Sequence, residues 1–348
     1  MEAKQVTFYP AYGYRDEATW RIPLRVWVHK HHRLVERVLI DLATQLSKRA
    51  APEIANFGVR IADLVADDEH AEEVVFTFDQ DPDAEPYQVL GKQGGTLRTD
   101  PNGLLEGSIT VSEAKARALL TRQGSRGRWL TYHASSSGHS GEGRVQLLEP
   151  HGLSVISDID DTIKITEIPA GKGIVVLNTF FRDFVAAPEM AGLYQGLGAV
   201  SFHYVSGGPW QLYRPLAEFL ASGSGGFPAG TFHMKSVNKN LFAVTTWEGL
   251  QDLVEDSFDL RTATLKQKIA QISELMTNLP DRQFLLIGDS GEKDPEVYRQ
   301  IQDEFPRQVQ EIRIRDVVND YEHHPERLRG MTVIPAPTIA LGVSQFGR

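Results

Sequence analysis

The stretch Val155-Ile156-Ser157-Asp158-Ile159-Asp160-Asp161-Thr162 decides how this chain is read. Leu153 to Ile156 is a short apolar run that predicts a buried strand. Three carboxylates follow within four positions, and then a hydroxyl. Like charges gathered at a strand's end repel one another unless a cation or strong donors hold them. Oxygen ligands of this kind suit Mg²⁺. A calcium loop of the EF-hand type wants glycine at its sixth position, where Ile163 stands. A merely solvated acidic turn would not carry so tight an apolar lead-in.

Outward from this stretch, strands alternate with helices after Gly152, the signature of a parallel sheet. Further buried strands are predicted at Val200–Ser206, Thr231–Met234, Phe284–Ile287 and Val309–Ile314. Helices are predicted at Ala191–Leu197, Trp210–Leu220 and Leu265–Met276, and after Pro295. Sites in open parallel sheets gather beyond the carboxyl ends of the strands. Here those ends carry Asp158, Asp160 and Thr162, then Ser206, then Asp289 with Asp294 beyond. Lys266 and Lys268 open the helix that precedes the strand ending in Asp289. Aspartates, a hydroxyl, a lysine and more aspartates suit phosphoryl transfer. Ser206 has a plainer reading, as the cap of the helix near Trp210.

Three longer strings carry a resemblance. They are Val155 to Lys164 (VISDIDDTIK), Tyr204-Val205-Ser206 with Pro209 to Tyr213 (PWQLY), and Leu286 to Tyr298 (LIGDSGEKDPEVY). They resemble the actin-patch-type phosphatidate phosphatase catalytic domain family, within the haloacid dehalogenase superfamily of aspartate-nucleophile phosphatases. The resemblance covers about half the chain. It implies a Rossmannoid parallel sheet with helices on both faces. Spacing to Ile269, Ile272 and Leu275 favours Lys268 over Lys266 as the family's lysine. Asp158 would attack phosphorus and form an aspartyl-phosphate, while Asp160 would protonate the leaving alkoxide and then activate water. Ser206 would donate to a phosphoryl oxygen, and Lys268 would offset negative charge. Mg²⁺ would sit among Asp158, the backbone carbonyl of Asp160, and Asp289, with Asp294 beside them. Thr162, Gly207 and Arg315 are candidate substrate contacts, although Arg315 reads equally well as a partner of Asp316. Lys164 and Lys293 read as surface charges, with contact to phosphate as the alternative for either. Gly208 departs from the family, which usually shows a second small polar residue before Pro-Trp.

Before Gly152 the chain predicts a β-rich domain with helical additions. Arg21–Lys30 alternates as a half-buried strand, and Leu34, Val38, Leu42 and Leu46 keep helical spacing. A second amphipathic stretch covers Val59, Ile61, Leu64 and Val65. Strands are expected at Val74–Phe78, Tyr87–Leu90, Gly95–Thr99, Leu105–Val111, Trp129–His133 and Val145–Leu148, with a mobile Ser/Gly-rich loop at 134–143. The histidines and arginines from His29 to Arg37 read as a solvated basic cluster, in preference to a metal site or a docking patch for phosphate headgroups. The domains are therefore expected at 1–150 and 151–330, with an extended tail at 331–348.

The 348 residues include no cysteine, which excludes disulfides and thiolate chemistry. Net charge of −10 disfavours nonspecific binding of nucleic acid or of an anionic membrane over the whole surface, and leaves either to a local basic patch. The N-terminus lacks a basic-then-apolar leader pattern, so the expectation is a cytoplasmic protein, peripheral at membranes if its substrate is a lipid. The expectation is a Mg²⁺-dependent phosphatase acting on phosphatidate. A soluble phosphate monoester is the rival substrate, and a non-enzymatic adaptor is the rival class. The segment Ile174–Phe184 reads as core in preference to an acyl-contacting flap, and Gly223–Thr264 as a region that shapes the pocket.

Overall fold

The computed structural model describes residues 3–47, 49–222, 226–235 and 263–340. It divides into two units, Met1–His32 with Ala66–Pro150, and Arg33–Val65 with His151–Arg348. The expected boundary at residue 150 coincides with a break between the units, but residues 33–65 fall in the second unit and not in the first. The helices Arg33–Ser47 and Ala51–Leu64 belong to the second unit. The reason is packing. Phe57 stacks on Phe181 with ring centroids 4.7 Å apart. The buried Arg60 donates to the carbonyls of Thr179 (3.1 Å) and Arg182 (2.6 Å).

The first unit is a ten-stranded sheet. Its early strands are β1 (Lys4–Phe8), β2 (Ala11–Asp16), β3 (Thr19–Lys30), β4 (Asp67–Asp68) and β5 (Val75–Phe78). The later ones are β6 (Tyr87–Gln88), β7 (Leu104–Ser112), β8 (Trp129–Ala134), β9 (His139–Ser140) and β10 (Glu142–Leu147). Alternation along β3 buries Trp20, Ile22, Leu24, Val26 and Val28 in one core with Phe76, Leu130 and Val145. Its long antiparallel partner is β7. Gly95–Thr99 is no strand; only Thr96 makes a bridge, to Leu90. The loop 134–143 is not free either. Within it β9 pairs in parallel with β1, and the His139 imidazole meets Ser136 Oγ at 2.7 Å.

In the second unit six parallel strands form one sheet. They are β11 (Leu153–Ser157), β12 (Ser201–Pro209), β13 (Gly230–Lys235), β14 (Gln283–Asp289), β15 (Val309–Asp316) and β16 (Thr332–Pro335). The order across the sheet is β13-β12-β11-β14-β15-β16. The first strand lies in the middle and the chain departs from it in both directions. The crevice between β11 and β14 is thus the topological switch point, where doubly wound sheets bind ligands. Strand β16 corrects the expected tail, since Thr332 to Pro335 pairs with Arg313 to Asp316. Of the region expected to shape the pocket, residues 223–225 and 236–262 lie outside the described residues. Among the described residues no helix is long and apolar enough to cross a membrane.

Candidate active site

Asp158 is the first residue past β11, and its N–H donates to the Ile287 carbonyl of β14 at 2.9 Å. Asp289 ends β14 itself. The switch point therefore sets the two aspartates side by side. Ligand oxygens of Asp158, Asp289 and Glu292 all lie within 4.8 Å of one another, and all three residues are buried. Lys268, from the helix Ala263–Asn278, sends its ammonium into this group. It donates to Asp158 Oδ1 (2.7 Å), Asp294 Oδ1 (2.7 Å) and Glu292 Oε2 (3.1 Å). Lys266 is exposed, so helix phase decides between the two lysines.

Asp160 belongs to a second group. Its Oδ1 pairs with the Lys164 ammonium at 2.9 Å and accepts from Thr166 Oγ1 at 2.6 Å. Its Oδ2 accepts from Ser206 Oγ at 3.2 Å. The expectation that Lys164 is a surface charge is overturned, because Lys164 is only 1% exposed. Lys293 does lie outside, near Glu296. Ser206 does not cap a helix. The helix Tyr213–Ala221 has Leu212 at its N-cap with no side-chain bond, and Ser206 Oγ instead accepts from Gly208 N–H at 2.9 Å.

Asp161 is the staple of the loop. It adopts the left-handed region (φ 55°), which aspartate tolerates better than bulkier residues. Its carboxylate accepts the backbone N–H groups of Thr166, Glu167 and Ile168 at 2.7–2.8 Å. Its carbonyl accepts from Arg315 Nη1 at 2.7 Å. Arg315 thus braces this loop, while Asp316 accepts from Ser290 Oγ and the Asp320 and Tyr321 N–H groups. Gly207 leaves room for Thr264, whose Cγ2 would stand 2.6 Å from a Cβ there. At Gly288 a Cβ would strike Asp294 Oδ2 and come within 2.7 Å of Tyr298 Cε2.

Charge accounts for the rest. Five buried carboxylates (Asp158, Asp160, Asp289, Glu292, Asp294) face two buried ammoniums (Lys164, Lys268). An uncompensated excess of buried negative charge is expensive. Accordingly burial, with the neighbouring acids, lifts the Asp158 and Asp289 carboxyls well above the usual range, against the pull of Lys268 on Asp158. Burial also pushes Glu292 up to about 7, opposed by Lys268 and helped by Asp294. At Asp160 burial works the same way, but Lys164 and Thr166 outweigh it and hold that carboxyl low. Asp158 Oδ2, Asp289 Oδ2 and Thr162 Oγ1 are buried without a hydrogen-bond partner. Hard, clustered, partner-free oxygens with surplus negative charge fit a divalent cation of the Mg²⁺ class.

Two contributors are not apparent from sequence reading. Glu292 lies inside a quoted string but joins the three-carboxylate cluster only because the loop after β14 turns back. Its N–H and that of Gly291 donate to Asp289 Oδ1 at 3.2 and 2.7 Å. Asp294, expected beside the metal, is instead engaged by Lys268 and by the Asp289 N–H. Arg327 clamps the same loop, donating to the carbonyls of Ser290 (2.9 Å) and Glu292 (2.8 Å) while pairing with Glu296 and Asp320.

Residues 153–316, which span this whole constellation, match the family described as Phosphatidate phosphatase APP1, catalytic domain. That segment, a little under half of the chain, is similar to this family. Phosphatidate phosphatase APP1 of Saccharomyces cerevisiae is 29% identical over 189 residues, 52% of this chain and 29% of its own. An uncharacterised protein of Schizosaccharomyces pombe is 29% identical over 186 residues, 51% of this chain and 27% of its own. The match thus spans under a third of either relative's length. Among solved structures, a carbohydrate esterase aligns over 90% of this chain and 89% of its own at TM-score 0.20 and 8% identity, which carries no argument. The APP1 catalytic-domain match includes both strand ends and the helix bearing Lys268, and it stops at Asp316, before β16.

Proposed function

We propose that this chain is a Mg²⁺-dependent phosphoric monoester hydrolase, and that its substrate is phosphatidate, cleaved to diacylglycerol and phosphate. The observation that carries the reading is the buried Asp158–Asp289–Glu292 cluster with Lys268 bonded to two of its members. The lipid half rests on the printed name of the budding-yeast relative. We also place the second unit among haloacid dehalogenase-like folds. Its support is the central strand ending in the first aspartate pair, with lysine and last aspartate brought to the neighbouring strand.

In the proposed reaction an Asp158 oxygen attacks phosphorus and the P–O bond to the glycerol breaks. Asp160 gives its proton to the departing alkoxide, so diacylglycerol leaves and an aspartyl-phosphate remains. Asp160 then takes a proton from water, which attacks phosphorus and releases phosphate, restoring both carboxyl groups. Asp158, Asp289 and Glu292 would hold Mg²⁺, whose charge keeps them ionised and offsets that of the incoming phosphate. Lys268 donates to Asp158 Oδ1 and so fixes the orientation of the carboxylate for the reaction. Ser206 and Lys164 orient Asp160. A bound phosphate dianion beside Asp160 opposes its ionisation, which brings it towards the protonated form a general acid needs.

The test is phosphate release from a panel of phosphatidate, lysophosphatidate, sugar phosphates and nucleotides with Mg²⁺. Phosphatidate should lead the panel and Asp158→Asn should abolish its turnover. Preference for a soluble ester would refute the lipid assignment, and an active Asp158→Asn protein would refute the nucleophile.

A further inference from the structure

Among the described residues five large apolar side chains are exposed: Leu34, Val38, Val59, Val185 and Tyr321. Four of them fall on the helix pair 33–64 and the loop 182–186, all within the second unit. These segments are fastened together. Ile40 of the first helix packs on the second, its Cδ1 3.1 Å from where a Cβ on Gly58 would stand. Asn56 donates to the Phe181 carbonyl and to Asp183, each at 2.9 Å, and Arg60 reaches the Arg182 carbonyl. Val59, one turn from Asn56 on the flank away from Arg60, is 56% exposed. Val185, 53% exposed, follows Phe184 at the outer edge of the loop.

This rim adjoins the catalytic loop. Ile165 N–H donates to the Val185 carbonyl at 2.9 Å, and Lys164 bridges to Ala186. The Lys164 ammonium lies 5.0 Å from the Phe184 ring centroid, and Arg60 covers the same ring at 3.8 Å. Lys164 in turn holds Asp160. Val185 therefore stands one residue beyond Phe184, whose ring meets the lysine that pairs with Asp160, and Val59 one residue before Arg60, which covers that ring. Cations accompany them. Arg33 and Arg37 are exposed one turn apart, beside Leu34 (69%) and Val38 (54%), and Arg182 is exposed at the head of the loop, with the exposed Asp41 and Asp183 next to them. On a chain of net charge −10 this grouping is local, and it is complementary to one surface type, anionic outside and apolar within.

We infer that the rim Val59–Val185, with the Arg33–Val38 turns of the adjoining helix, seats the site on a bilayer containing phosphatidate. This rests on the phosphatidate reading above and adds where the lipid surface is met. The experiment is co-sedimentation and turnover with phosphatidylcholine vesicles with and without phosphatidate. Turnover of a short-chain, monomeric phosphatidate is measured alongside. Wild-type protein should sediment preferentially with the phosphatidate vesicles. Val59→Glu with Val185→Glu, and separately Arg33→Ala with Arg37→Ala, should each weaken vesicle binding and vesicle turnover by roughly tenfold or more. Monomeric turnover should stay at the wild-type level, which also shows that both variants are folded. Wild-type vesicle binding by either double variant overturns the surface, and so does a parallel loss of monomeric turnover. Should the wild-type protein hydrolyse phosphatidate in neither form, the substrate reading falls, and the sedimentation result still decides the surface.

Discussion

Lys268 and Lys164 divide the buried positive charge of the site, one bonded to Asp158 and the other to Asp160. The first was legible in sequence, because Lys268 shares a helical face with Ile272 and Leu275. The second was not. A lysine after an acidic run reads as solvated, and only the left-handed turn at Asp161 folds it inward. Replacing Lys164 by Met should lower kcat by roughly 10–100-fold with KM little changed, since it frees Asp160, the proposed proton-transfer group, without touching the proposed cation ligands. Steady-state kinetics on monomeric phosphatidate checks this, and a rise in KM alone would assign Lys164 to substrate binding. Glu292 yields a pH prediction. Its folded pKa, about 7, lies above its unfolded value near 4.5, so the native state holds the extra proton between those limits. Its contribution to metal-free stability is complete below about pH 4.5 and is lost as pH rises through about 7. Denaturant unfolding in chelator should show the stability of wild type relative to Glu292→Gln declining across that window, by about 3 kcal/mol. Added Mg²⁺ should reverse the trend, because it binds the ionised form. A flat difference would show that Glu292 stays ionised or solvated.

At the scale of elements, the loops after β11 and β14 hold the functional groups by backbone donors, and each has one residue on which its shape depends. For the first it is Asp161, which accepts three N–H groups. Asp161→Ala leaves those buried donors unsatisfied and should cost roughly 3 kcal/mol or more by urea unfolding, with activity lost in parallel. Asp161→Asn, which keeps one oxygen, should fall between. A loss under about 1 kcal/mol would mean that water replaces the staple. For the second loop the critical point is Gly288, where any Cβ meets Asp294 and Tyr298. Strand existence was legible wherever apolar runs were buried on both faces, as in Val155-Ile156 and Leu285-Leu286-Ile287. The outer pieces were not. Strand β16 carries Pro335 and no periodicity, and β9 is two residues long. Both exist through backbone pairing with a neighbour already in place, a contact that leaves no side-chain signature.

At the scale of the molecule, the parallel order of strands explains why residues 131 positions apart, Asp158 and Asp289, become neighbours, and motif order made this readable before any coordinates. Membership of the helix pair was not readable, since Phe57 and Arg60 find their partners only in the folded second unit. The consequence is testable by truncation. A chain starting at His151 lacks those helices and exposes Phe180 and Phe181, so it should aggregate or bind a hydrophobic dye. The full chain should remain monodisperse. A folded, active 151–348 fragment would show the helix pair to be dispensable. The central claim is that clustered carboxylates at the switch point require a divalent cation to cleave a phosphate monoester. Its most direct measurement is phosphate release from phosphatidate as Mg²⁺ is titrated into chelated protein, for wild type and Asp289→Asn. The account predicts saturable activation from a negligible baseline in the wild type and little or none in the variant. Full turnover in chelator, or equal activation of both proteins, would contradict it.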